Sequence, residues 1–241
     1  MTSRGVHWLG EYGKTEVLDT RLRQVLKVFS AYKFERILDV GCGDGYFTKL
    51  LGEVSEAKET YGIEISSEGI ESSVKNGVKA VQIDLQEDNF PFEDNYFDAI
   101  FCGEIIEHIF NPDYFLQEVY RALKTGGLCV LTTGNLASWH NRLALLLGFE
   151  PYGRQLSTRY NVGKFPISGR FEGSEQSDHI KVFTLRGLKE LLKIYNFKIN
   201  RIMGSPLTDQ HKILFPLNLV ERILSLIPSL SLSVTYVLSK E

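Results

Sequence analysis

Ile37-Leu38-Asp39-Val40-Gly41-Cys42-Gly43-Asp44-Gly45-Tyr46-Phe47 runs from an apolar strand pattern through three alternating glycines into the start of a helical pattern. Glycines at 41, 43 and 45 let the backbone turn sharply and let a ligand come close to it, and the following helix N-terminus offers unpaired N–H groups. A nucleotide-like ligand is the expectation. A dinucleotide fingerprint reads G-x-G-x-x-G, whereas here the third glycine comes one residue early and an acid, Asp39, sits in the strand end. That spacing disfavours a nicotinamide oxidoreductase.

Further acids follow at strand ends. Tyr61-Gly62-Ile63-Glu64-Ile65-Ser66 reads as a second strand closing on Glu64, and Val81-Gln82-Ile83-Asp84-Leu85 repeats the pattern with Asp84. A fourth strand, Phe97-Asp98-Ala99-Ile100-Phe101-Cys102-Gly103-Glu104, also passes into polar residues. Acids at the carboxyl ends of successive parallel strands face one crevice in a doubly wound sheet. In these motifs residues 36–135 resemble the class I S-adenosylmethionine-dependent methyltransferases, with a looser likeness over 179–240. The resemblance implies S-adenosylmethionine as cofactor, with Asp39, Gly41, Gly43 and Gly45 at its methionine part, Glu64 at the ribose and Asp84 at the adenine. It further assigns the neighbouring Cys42, Ile65, Leu85, Cys102, Gly103 and Glu104 to the cofactor crevice. The fold it implies is α/β: a Rossmann-like, seven-stranded sheet, mostly parallel with an antiparallel last strand, and helices on both faces.

Composition bounds the rest. The chain has 241 residues, 43% of them apolar and 24% charged, which suits one buried α/β domain over 1–241 with an insertion rather than two domains. A net charge of −3 argues against binding nucleic acid over the whole surface. Three cysteines without metal-ligand spacing fit a reducing compartment. Met1 to Trp8 carries no apolar signal region, and the reading is a cytoplasmic enzyme. Trp8 and Tyr12 are spaced to close over a ligand or, more simply, to pack on the first helix.

That helix is expected over about 14–31, from the spacing of Leu18, Leu22, Val25, Leu26 and Phe29. Ser66, Asn111-Pro112 and Thr184 mark later helix starts. After a continuously apolar fifth strand, 128–133, the alternation breaks off for nearly fifty residues. This insert, 136–182, reads as a lid whose first part, to about 149, is helical through Leu143, Leu146 and Leu147. Between residues 142 and 170, Arg142, Arg154, Arg159, Lys164 and Arg170 against Glu150 leave a local excess of four positive charges, as a solvated loop or as an anion-binding cover. Strand six is expected over 197–203. In the following segment Leu217, Val220, Ile223, Leu224 and Ile227 form an apolar stripe read as core packing, with dimerisation or contact with a lipid-like acceptor as alternatives. Glu221, Arg222, Pro216 and Pro228 rule out a membrane span there. Leu230 to Ser239 alternates with period two, as expected of a last strand with one exposed face.

Beyond the cofactor motifs, Glu104, Glu107 and His108 stand at i, i+3 and i+4, so one helical turn would set all three on a common face. Two carboxylates and an imidazole suit a divalent cation such as Mg²⁺, Mn²⁺ or Zn²⁺. The E-x-x-E-H pattern resembles that of ubiquinone-pathway O-methyltransferases and of small-RNA 3′-terminal 2′-O-methyltransferases, where it binds metal. Asp178-His179-Ile180-Lys181-Val182-Phe183-Thr184 resembles the segment that brings the RNA enzymes a last ligand, His179. The same pair can equally serve structure or acid–base chemistry, with His108 as the nearest base and His140 and His179 behind it. The expected function is methyl transfer from S-adenosylmethionine to an oxygen of a small, glycan-like or other anionic acceptor. A quinone or lipid precursor and an RNA 3′ end are alternative acceptors. A cofactor-binding subunit without catalysis is the alternative class, and a homodimer is left open.

Overall fold

The computed structural model describes residues 18–157, 160, 162–164, 179–206 and 217–241, with only the backbone of 217 and 218. Trp8, Tyr12, Arg159, Arg170, Asp178 and Pro216 therefore lie outside the described residues. Seven strands form one sheet: β1 (Arg36–Val40), β2 (Glu59–Glu64), β3 (Lys79–Gln82), β4 (Phe97–Gly103), β5 (Leu123–Gly134), β6 (Phe197–Ser205) and β7 (Ser233–Lys240), in the spatial order β3-β2-β1-β4-β5-β7-β6. The pairs from β3 to β5 are parallel, and β7 lies antiparallel between β5 and β6. This is the expected doubly wound sheet. The strand order reverses between β1 and β4, so their carboxyl ends flank the crevice where such sheets bind ligands.

Strand alternation divides the core into two layers. Leu38, Ile100, Cys129 and Leu238 point to the face covered by α4 (Pro112–Ala122) and α6 (Leu185–Ile194), and Ile37, Phe101, Val130 and Val237 to the face under α1 (Thr20–Phe29) and α2 (Tyr46–Val54). Helix α3 (Ser67–Lys75) packs on β2 and β3. Caps set several starts. Ser66, Asn111 and Thr184 accept from Gly69, Tyr114 and Gly187 N–H, and Pro112 sits at the first turn of α4, where it has no N–H to lose. Among the described residues the first helix starts at Thr20, where the Asp19 carboxylate accepts from Leu22 N–H, and the expected start near 14 lies outside them.

Two expectations about the C-terminal region are corrected. Val234, Thr235, Tyr236, Val237 and Leu238 are all buried, so β7 has no exposed face: inserted between two strands, it is covered by helices on both sides. Helix α7 (Leu217–Ser225) is not packed by its apolar stripe. Glu221 and Ser225 are buried, whereas Val220, Ile223 and Ile227 are exposed. In the insert, α5 (Trp139–Leu146) is shorter than expected and leaves Leu143, Leu146 and Leu147 at the surface. Among the described residues no helix is long and apolar enough to cross a membrane.

Candidate active site

The glycine loop joins β1 to α2, and all three glycines have positive φ: 82° at Gly41, 55° at Gly43 and 76° at Gly45. At Gly45 a Cβ would lie 2.7 Å from the Ser73 Cα, so α3 packs directly on the loop. Open space lies beyond Gly43, which leaves bare main chain at the crevice. Hydrogen bonds hold that main chain from behind. Gly43 N–H donates to Glu64 Oε2 (3.0 Å), Ser73 Oγ donates to Gly43 O (2.9 Å), and Asn76 Nδ2 to Asp44 O (2.9 Å). The other oxygen of Glu64 accepts from Ile65 and Ser66 N–H, both at 2.9 Å. Glu64 thus pins the loop to the end of β2 and still has accepting capacity on Oε2.

Asp39 is buried beneath the loop and accepts from Thr48 Oγ1 at 2.6 Å. Burial pushes its pKa up to about 7; the Thr48 hydrogen bond acts the other way, and the charge of Glu64 adds to the rise. Two carboxylates in such proximity favour a cationic ligand, and S-adenosylmethionine, with its ammonium and sulfonium charges, fits that demand. Ile65 is 54% exposed at the rim, where it can cover a flat base. Asp84 follows β3, and its carboxylate accepts from Gln86 N–H, with Leu85 partly buried beside it. Cys42 and Cys102 offer only main chain. Burial pushes the Cys42 thiol up to about 12 and that of Cys102 well above the ordinary range, so neither is a nucleophile.

Across the crevice, Glu104 follows β4 with a φ of +49°, unusual for a residue with a side chain, and a 3₁₀ turn follows at Ile106–His108. Glu104 pairs with Arg21 of α1 at 2.8 Å. Burial raises its pKa, yet the charge and hydrogen bonding of Arg21, with Thr132, outweigh this and hold it below the usual range. Glu107, 2% exposed, goes the other way: burial and then the charge of Glu104 push its pKa well up. Its Oε2 accepts from Thr133 Oγ1 (2.8 Å), while its buried Oε1 has no hydrogen-bond partner among the described residues. One ligand atom each from Glu107, His108 and His179 lie within 4.8 Å of one another, and the two imidazoles meet edge to face at 4.9 Å. An orphaned carboxylate oxygen beside two imidazoles is a donor set that suits a divalent cation. Glu104 lies beside that set, close enough to act on both Glu107 and His179.

The insert reaches this cluster through its described parts. Ile180 and Lys181 N–H both donate to Glu107 O, which seats His179. Asn141 of α5 accepts from Tyr152 N–H (2.6 Å), and at Gly153 a Cβ would lie 3.5 Å from His179 Nδ1. Burial, and then the charge of Glu104, raises the Tyr152 phenol. Two described cations of the insert hold main chain: Lys164 Nζ donates to Pro151 and Arg154 carbonyls, and Arg142 to those of Ala137 and, outside the insert, Ser229. His140 is held apart from the histidine pair, with Nε2 2.9 Å from the buried Glu221 carboxylate.

Sequence reasoning missed Arg21, Thr48, Ser73, Gln86, Thr133 and Tyr152. Gln86 ties two loops together, donating to His108 O and accepting from Phe110 N–H. A signal existed for Thr133, a hydroxyl at the carboxyl end of an otherwise apolar strand. The others are joined to the site only by the fold.

Comparison with known proteins agrees with this geometry. The family model described as "Methyltransferase domain" matches residues 12–201. The mitochondrial ubiquinone biosynthesis O-methyltransferase of Rattus norvegicus is 26% identical over 161 residues, covering 64% of this chain and 46% of that protein. The ubiquinone biosynthesis O-methyltransferase of Maricaulis maris is 31% identical over 133 residues, covering 49% and 50%. The chain thus spans about half the length of these relatives. Among solved structures, an S-adenosylmethionine-dependent methyltransferase from Mesorhizobium loti superposes with a TM-score of 0.61 at 16% identity, over 90% of this chain and 96% of that one, a likeness of fold. With the matched family covering most of the chain, and the glycine loop and strand-end acids placed as that family requires, the chain belongs to the class I S-adenosylmethionine-dependent methyltransferases.

Proposed function

We propose that the protein is an O-methyltransferase that presents a hydroxyl of a small acceptor to S-adenosylmethionine above Glu107, His108 and His179, with a divalent cation held by these three residues. The observation that carries the proposal is the buried Oε1 of Glu107, which accepts no hydrogen bond among the described residues and lies 4.0 Å from His179 Nε2, in a cluster with two imidazoles. S-adenosylmethionine supplies the electrophilic methyl group, and a bound cation would lower the pKa of the acceptor hydroxyl. The chain's own residues orient and select. Thr133 fixes one oxygen of Glu107, Gln86 holds the main chain of His108, and Arg21 keeps Glu104 ionised beside the crevice. In-line transfer requires the acceptor oxygen within about 3 Å of the methyl carbon, so much of the catalysis is alignment. The insert, 136–182, serves as the cover, which Tyr152, Gly153 and His179 support by their place at the cluster.

The names of the two relatives make a phenolic quinone precursor the first acceptor to test, with a glycan-like anionic hydroxyl compound as the second. The experiment is methyl incorporation from labelled cofactor into each acceptor, with chelator and with Mg²⁺, Mn²⁺ or Zn²⁺ added back. Chelator is expected to abolish transfer, metal to restore it, and Glu107→Ala and His108→Ala each to lose at least about a hundredfold of the restored rate. Full activity in excess chelator would remove the cation and leave His108 as a base. Cofactor binding without transfer to any acceptor would instead assign the chain to the non-catalytic class.

A further inference from the structure

Helix α7 is turned inside out. Glu221 (1% exposed) and Ser225 face the protein, while Val220, Ile223 and, just past the helix end, Leu226 (80% exposed) face solvent. Alongside, α5 exposes Leu145, Leu146 (82%) and Leu147. The two helices are locked at their inner sides. Trp139 Nε1 and His140 Nε2 both meet the Glu221 carboxylate, at 2.7 and 2.9 Å, and Arg142 Nη2 donates to Ser229 O beyond α7. Burying Glu221 turns the neighbouring leucines outward, so the inversion is built by specific hydrogen bonds.

Charge says what this face meets. Glu221 is the single acid of α5 and α7, and it is buried, whereas Arg142 and Arg222 are exposed. Arg222 stands three and four residues from Leu219 and Leu226, on the apolar side. A second copy placed here by a two-fold axis would set these cations against their own symmetry mates with no exposed acid of either helix to pair them. An apolar helix face flanked by arginines is instead the pattern of helices that lie in a lipid interface, aliphatic tips in the acyl boundary and guanidinium groups at the phosphates. We propose that the α5–α7 face docks on an anionic lipid surface. The docking is independent of the methyl acceptor's identity.

Flotation of the full chain with phosphatidylcholine vesicles, with and without phosphatidylglycerol, tests this. Co-flotation with the anionic vesicles is expected, with weaker binding to the neutral ones. Leu146→Glu and Leu226→Glu should each lower partitioning about tenfold, and Arg222→Glu should remove the preference for anionic lipid. Both leucines are exposed, so unfolding temperatures should stay unchanged, which controls for folding. Absence of flotation with anionic vesicles overturns the proposal. So does flotation indifferent to both leucine variants. A dimer seen by ultracentrifugation and abolished by Leu146→Glu, without vesicle binding, would assign the face to a second copy and overturn it equally. Transfer to a water-soluble acceptor without lipid reports on the enzyme reading separately.

Discussion

On the β1–β3 side, the crevice is lined by main chain: three glycines at positive φ, a bare Gly43, and carbonyls held by Ser73 and Asn76. On the β4–β5 side it is lined by charged side chains: Arg21 against Glu104, Glu107 with an orphaned oxygen, and two imidazoles. The first wall is made of contacts within about thirty residues of sequence, the second of groups drawn from α1, the 3₁₀ turn, β5 and the insert. A wall of backbone fixes a ligand's shape and tolerates few side chains. A wall of buried charges can tune proton affinities, at the cost of desolvation that only well-placed partners offset. The cofactor motif is common to a large family because the first wall asks only for backbone geometry; the acceptor side is free to differ.

Substitutions can break that contrast at either wall. The largest effect is expected from Arg21→Met, which leaves Glu104 buried without its cation. Unfolding by denaturant should show a loss of about 2–4 kcal/mol, below the full buried-pair cost because the Glu104 side chain keeps 29% exposure. Unchanged stability would mean the second wall is not held by charge. Gly45→Ala attacks the first wall through its backbone: a methyl 2.7 Å from Ser73 Cα, at φ +76°, should cost roughly 2–4 kcal/mol, read as a lowered melting temperature. A neutral result would show that α3 can move off the loop.

Glu64→Ala sharpens the comparison, since Glu64 is a side chain serving a wall of main chain. Cofactor affinity measured by calorimetry should fall by roughly 1.5–3 kcal/mol through loss of an acceptor and of the Gly43 pin. An unchanged dissociation constant would remove Glu64 from the site. Asp39→Asn is expected to act through pH. The folded pKa of Asp39, about 7, lies above its ordinary 3.8, so folding stability from this group is full below the ordinary value and is lost as pH rises from there through 7. An amide at this position does not titrate and would not share that loss. The melting temperature of the variant relative to the unaltered protein should therefore climb between about pH 4 and about pH 7 and level off above, and a constant difference would show that Asp39 ionises freely.

The cofactor wall was legible before the structure because its signals are local. Glycine spacing, an acid at each strand end and alternating hydrophobicity all depend on residues within one βα unit, where backbone geometry follows directly from residue type. The acceptor wall was legible only in its parts. Glu104, Glu107, His108 and His179 could be named as one group, but the cation that pairs with Glu104 could not, since Arg21 lies 83 residues away and the left-handed residue that kinks the chain carries no sequence mark. Likewise, the period of β7 was read as a half-exposed strand, because alternation reports side-chain chemistry and not whether a sheet neighbour and a second helix layer arrive on the polar side.

By itself, then, the amino-acid sequence determined the doubly wound sheet, its antiparallel last strand through the resembled family, and the glycine loop at the crevice, which rest on short-range periodicity and backbone freedom. Tertiary structure alone decided that Glu104 meets Arg21 while Glu107 meets two imidazoles, and that α7 buries Glu221 while exposing its leucines. The physical reason is that burial and charge pairing are properties of neighbours in space. A helix with an apolar stripe and an acid can place either face inward, and here Trp139 and His140, some eighty residues away, supply the two donors that favour the acid.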